Sequence, residues 1–128
     1  SELSVNMNSH GNTTAIQEYI HRLHRSDVSL TSLEFENENI GDDEATALAQ
    51  ALRVNTSLTV FGLKENKIGY VGAATLAQAL RDNTFLKVLR LDGSNIGDNG
   101  ATALAQALEL NTTLTVINLD ANNIGDNG

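Results

Sequence analysis

The sequence contains no cysteine, which excludes disulfides, thiolate metal sites and cysteine nucleophiles and suits a reducing compartment. Aromatic residues make up only 4% of it, so a core has to be built from leucine, isoleucine, valine and alanine, which the 41% apolar content can supply. No apolar run reaches the roughly 18 residues that a membrane-spanning helix needs. The start, SELSVNMNSHGN, lacks the basic and apolar regions of a secretory signal. Basic residues are scarce as well. Eight Lys and Arg stand against sixteen Asp and Glu, a net charge of −8, which is the wrong sign for phosphate backbones or anionic membranes. The local basic cluster of His21, Arg22, His24 and Arg25 is too small to reverse that. Together these absences predict one cytoplasmic domain in 128 residues, without a nucleic-acid or membrane partner.

Reaction chemistry is missing too. There is no G-x-S-x-G, no G-x-x-x-x-G-K and no H-E-x-x-H. GYVGAA at 69–74 places two glycines before a helix but has no lysine to hold a phosphate. His21 and His24 stand three apart without a third ligand nearby, and solvent exposure accounts for them. Asp42, Asp98 and Asp126 recur as calcium ligands would, but their fixed place before helices predicts capping. Acceptor patterns for glycosylation at Asn12, Asn55 and Asn111 say little, since two of them follow from a recurring N-T pair. The expectation is therefore no enzyme, no catalytic residue, no cofactor and no metal.

What is present is a repeat. Ile40, Ile68, Ile96 and Ile124 recur every 28 residues, and Leu30, Leu58, Leu86 and Leu114 keep the same step. Leu33, Phe61, Leu89 and Ile117 form a third column, and Phe35, Leu63, Leu91 and Leu119 a fourth. Within each unit the apolar period changes. Ile117 and Leu119 alternate as in a strand with one buried face, whereas Ala101, Leu104, Ala105 and Leu108 follow the i, i+3, i+4, i+7 stripe of a helix. Asp98 is placed to cap the helix start, and Asn111 to end it in a left-handed turn. One strand and one helix cannot shelter their own apolar faces, so the units must stack, with strands in a parallel sheet and helices outside. Alanines at 45, 47, 49 and 51, and at 101, 103, 105 and 107, let neighbouring helices approach.

These columns resemble the leucine-rich repeat of the ribonuclease-inhibitor-like type, over residues 30–128. They are similar, too, to the arrays of NOD-like receptors and Ran GTPase-activating proteins. The resemblance implies an α/β fold, a right-handed β-α superhelix with a parallel concave sheet and convex helices. The units are 30–57, 58–85, 86–113 and a partial 114–128. Residues 1–29 lack the strand motif, and TTAIQEYIHRLHRSD reads as a capping helix behind a loosely attached tail over 1–12.

A concave sheet leaves rows of side chains outside the core, and these are the candidate contacts. Ser32, Val60, Val88 and Val116 form one row, Glu34, Gly62, Arg90 and Asn118 the next, and Glu36, Lys64, Asp92 and Asp120 a third. Asn37, Glu65, Gly93 and Ala121 follow at the strand ends. The third row alternates in sign until Asp120, and that surplus of carboxylates suits a protein partner with a basic segment. The predicted function is a protein–protein interaction module. A GTPase-activating type of array and a fragment of an immune-receptor-like sensor are the alternatives. The last unit carries no helix of its own, which points either to a piece of a longer protein or to a homo-oligomer formed through that end.

Departures from the repeat mark other places of interest. Tyr70 and Val71 replace the Asp and Asn of their columns, with local packing the simpler expectation. Phe85, where Ser57 and Thr113 stand, is expected to wedge at the strand entrance. Glu38 and Ser94, in the column of Asn66 and Asn122, predict looser turns.

Overall fold

The structure, a computed structural model, describes residues 4–7, 13–126 and 128. Strands and helices alternate throughout: β1 (Ser4–Met7), α1 (Thr13–His24), β2 (Ser32–Phe35), α2 (Asp42–Val54), β3 (Val60–Gly62), α3 (Gly69–Asp82), β4 (Val88–Arg90), α4 (Gly97–Leu110) and β5 (Val116–Asn118). The strands form a single parallel sheet in the order β1-β2-β3-β4-β5, and α1, α2, α3 and α4 pack in the same succession. Every cross-strand partner lies one unit further along, so Ser32, Val60, Val88 and Val116 stand side by side, as do Leu33, Phe61, Leu89 and Ile117. It is an α/β solenoid.

The helices form because their sequences are alanine, leucine and glutamine, strong helix formers, and because the stripe Ala45, Leu48, Ala49 and Leu52 is buried against the sheet. Ala73, Leu76, Ala77 and Leu80 repeat it on α3. Leu58, Phe61, Leu63 and Ile68 from one unit, with Leu86, Leu89, Leu91 and Ile96 from the next, fill the interior.

Four expectations change. First, a strand precedes α1. Ser4–Met7 pairs in register with Ser32–Phe35, one unit upstream, so this part of the predicted loose tail belongs to the sheet. The rest of that tail, residues 1–3 and 8–12, lies outside the described residues.

Second, the asparagines after the helices do not enter a left-handed turn. Asn55, Asn83 and Asn111 have φ between −74° and −78° with extended ψ, and work through their side chains. Asn83 Oδ1 accepts the N–H groups of Phe85 and Leu86 at 2.8 Å, while Nδ2 donates to the carbonyls of Leu52 and Asn55 in the previous unit. Asn55 and Asn111 do the same for their own following turns. Asp27 takes this place in the first unit and accepts from the Ser29 hydroxyl and N–H. Those two bonds, and then Arg22 at 2.8 Å, hold its carboxyl down at about 2.

Third, the aspartates at the helix starts bond forward. Asp42 Oδ1 accepts the Gly72 N–H of α3 at 2.8 Å, and Asp98 Oδ1 accepts the Gly125 N–H at 2.6 Å. Neither α2 nor α4 receives a side-chain cap from them. The reason is geometric, because each carboxylate stands beside the next unit's turn, where unpaired donors also sit.

Fourth, the turns at Glu38 and Ser94 are tied from the following unit. Asn66 Oδ1 accepts the N–H groups of Glu38 and Ile40 at 3.0 Å, and Asn122 Oδ1 those of Ser94 and Ile96. The carbonyl oxygen of Ser94 takes the Ile68 and Gly69 N–H groups in place of an asparagine side chain. The turns therefore stay closed.

Candidate protein-binding surface

Burial along β2 alternates, with Leu33 and Phe35 turned into the core and Ser32 and Glu34 on the open face of the sheet. The same alternation sets the candidate rows. Val60, Val88 and Val116 line up as an aliphatic stripe that is half-buried in the middle and 44% exposed at Val116. A β-branched side chain on a pleated face is stiff, so the stripe is a preformed apolar track.

The second row is occupied by itself. Glu34 and Arg90 form an ion pair, Oε1 to Nη1 at 3.1 Å, although β3 runs between their strands. Gly62 is what lets them meet, since a Cβ there would stand 2.8 Å from Glu34 Oε1 and 3.0 Å from its Cγ. Sequence reasoning weighed only pairs on neighbouring strands and missed this bridge. The signal was a lone glycine in a column otherwise made of Glu34, Arg90 and Asn118. Asn118 lies beside Arg90 on the edge strand β5.

Glu36, Lys64, Asp92 and Asp120 follow just past the strand ends. Among the described residues no ion pair includes any of them, so the alternating row is not closed into a ladder. One oxygen of Asp92, Oδ1, is buried without a hydrogen-bond partner, and Asp120 is exposed in the next unit. Beyond this row, Asn37, Glu65, Gly93 and Ala121 all turn left-handed, at φ between +57° and +63°, and carry the chain away from the sheet. A carboxylate oxygen out of water without a donor is costly.

Other candidates fall elsewhere. Tyr70 and Val71 are 55% and 52% exposed in the first turn of α3, so local packing does not enclose them. Phe85 is 38% exposed and, with the 85% exposed Val28, flanks a depression of about 220 Å³ floored by Thr31, Thr56, Ser57 and Thr59. His21 and His24 are exposed on α1. The Asn55 and Asn111 amides are engaged in the turns described above, and Asn12 lies outside the described residues.

Comparison with known proteins places this architecture. The family described as Leucine Rich repeat matches residues 54–77, 82–105 and 110–128, more than half of the chain. Among curated proteins no sequence matches. Of solved structures, leiomodin-1 actin-binding site 2 superposes with a TM-score of 0.73 at 27% identity, covering 81% of this chain and 62% of that one. The C-terminal domain of Caenorhabditis elegans tropomodulin superposes with a TM-score of 0.79 at 18% identity, covering 93% of this chain and 74% of that one, a likeness of fold alone. The chain thus spans less than two thirds of the leiomodin structure.

Proposed function

Because this chain belongs to the leucine-rich repeat family, we propose that it is a protein-binding module of the ribonuclease-inhibitor-like type that takes its partner on the open face of the sheet, without catalysis of its own. The observation that carries this is the face itself: a stiff valine stripe at positions 60, 88 and 116 beside charged groups that the fold leaves unpaired. The scaffold is ordered before binding, so little entropy is lost when a partner docks. Asp92 and Asp120 favour a basic segment on that partner, in keeping with the net charge of −8.

Actin is the first partner to test, since the leiomodin-1 likeness is to a structure described as an actin-binding site. Purified chain is sedimented with actin, and the variants Val88→Arg and Asp120→Lys are compared with Gln78→Ala on the exposed side of α3. Binding that both open-face variants abolish and Gln78→Ala leaves intact supports the reading. Binding that all three retain moves the site off the sheet, and absence of binding removes actin as the partner. GTP hydrolysis by Ran, measured alongside, stays at its intrinsic rate under this reading, whereas the GTPase-activating alternative requires acceleration. A sensor array of the immune-receptor kind would share the open-face contacts and differ in its partner. The cytoplasm is the proposed location, on the absence of cysteine.

A further inference from the structure

The repeat gives up a bond at Tyr70 and gains nothing inside the fold for it. Asp42 and Asp98, one unit before and after, each accept an N–H of the following unit. A phenol at position 70 puts no carboxylate opposite the start of α4. A bond of this charge-assisted kind is among the stronger ones a surface turn can make. In exchange the structure leaves two apolar side chains more than half exposed, with Val71 where the neighbouring units have Asp43 and Asn99. A local rule broken without a packing gain is where function is expected to show.

The surroundings of the pair have a definite chemistry. The first turn of α2 carries Asp42, Asp43 and Glu44, the first turn of α4 carries Asp98, and the first turn of α3 between them has no acidic residue. Asp42 and Asp98 each have further lone pairs after accepting one N–H from the neighbouring turn. Neighbouring helices lie roughly 8 to 10 Å apart. The Asp42 carboxylate reaches the first turn of α3 itself, while the exposed Asp43 on α2 and Asp98 on α4 belong to helices whose axes run about 10 Å away on either side.

We propose that this rim of helix starts is a second docking surface, distinct from the open face of the sheet, for an extended protein segment that sets an apolar side chain on Tyr70 and Val71 and a basic side chain on either side. At about 3.3 Å per extended residue, three residues span one helix spacing, so the matching pattern is basic, two spacers, apolar, two spacers, basic. The tyrosine supplies a rigid, partly apolar contact of large area, and the carboxylates set the polarity of the segment that docks.

The test uses a seven-residue peptide of sequence RSGLSGR, titrated into the isotope-labelled chain while amide shifts are followed by NMR. The expected result is saturable movement of the Tyr70, Val71 and Asp43 amides that weakens with added salt, and none with the charge-reversed peptide ESGLSGE. The variant Tyr70→Asp with Val71→Asn returns both positions to the pattern of the other units. It keeps or raises the thermal midpoint, because a carboxylate again faces the start of α4, and weakens peptide binding by about tenfold or more. Val88→Arg on the open face leaves peptide binding unchanged, which separates this site from the partner surface above. Unmoved Tyr70 and Val71 amides at millimolar peptide, or binding that survives the double substitution, overturn the proposal.

Discussion

Two units of the solenoid carry nearly the same letters and have different fates. In the unit 58–85, Leu58, Phe61, Leu63 and Ile68 are fully buried, whereas their counterparts Leu114, Ile117, Leu119 and Ile124 in 114–128 are only partly so. The polar members behave otherwise, since Asn122 is as buried as Asn66 and makes the same four bonds. Leucine and isoleucine are sheltered by the neighbour on each side, and the last unit has one side only. Asparagine reaches back to the preceding turn and needs nothing ahead of it. Apolar burial in this fold is a property of the stack, while turn closure belongs to adjacent pairs.

The largest expected effect breaks the comparison at its apolar half. Leu91→Ala empties a site enclosed on both sides and should cost about 2 to 5 kcal/mol, whereas Leu119→Ala should cost less than half as much as Leu91→Ala, since part of its surface already meets water. Urea unfolding of both variants reads the difference. Equal losses would mean that the end unit is as enclosed as the middle.

The polar half predicts equality instead. Asn66→Ala strips the Glu38 and Ile40 N–H groups of their acceptor, and Asn122→Ala does so for Ser94 and Ile96. With two buried donors left unpaired at about 1 to 3 kcal/mol each, both variants should lose at least about 2 kcal/mol, within error of one another. A much smaller loss at Asn122 in the same unfolding measurement would show that the tie depends on the unit's own enclosure after all.

This division explains what could be read from the letters. The 28-residue step, the alternation at Leu33 and Phe35 and the helical stripe at Ala45, Leu48, Ala49 and Leu52 are local patterns, and they place four of the five strands and all four helices of the described chain. β1 escaped because Val5 and Met7 fit their columns but Glu2 and Asn12 stand where leucine and isoleucine recur. The roles of Asn83, Asp42 and Asp98 were misassigned for a different reason. Their partners lie 27 to 31 residues away, and a side chain that serves the next turn looks, in sequence, like one that serves its own. The candidate surface was legible row by row through the period of two, but contacts across two strands were not, so Glu34 and Arg90 were placed correctly and their bridge was missed.

That bridge offers a smaller effect. Gly62→Ala brings a methyl group against the Glu34 carboxylate, the movable end of a side chain, so the fold survives and the ion pair is displaced. A partly exposed pair contributes only about 0.2 to 1 kcal/mol, and the stability change should stay within that range. The binding consequence is larger under the proposed function, because freed Glu34 and Arg90 become available to the partner. Calorimetric unfolding that shows a loss well above the range would mean that Gly62 is needed for the strand and not for the bridge.

The smallest expected effect sharpens the comparison at the other end of the stack, where Asp27 stands in the column of Asn55, Asn83 and Asn111. Its carboxyl is lowered from the usual range to about 2 by the Ser29 hydroxyl and N–H and then by Arg22. A group whose folded value lies below its unfolded one stabilises fully above the unfolded value and loses that contribution as the pH falls through the folded value. The window here runs from about pH 4 down to about pH 2. Asp27→Asn retains an acceptor for the Ser29 N–H, as in the later units, and gives up the ion pair with Arg22 at 2.8 Å. Stability of the variant, followed by circular dichroism in denaturant at successive pH values, should therefore fall less steeply across that window than in the parent chain and match it near pH 2. Parallel curves would show that Asp27 holds the turn by hydrogen bonding alone, as the asparagines do, with its charge idle.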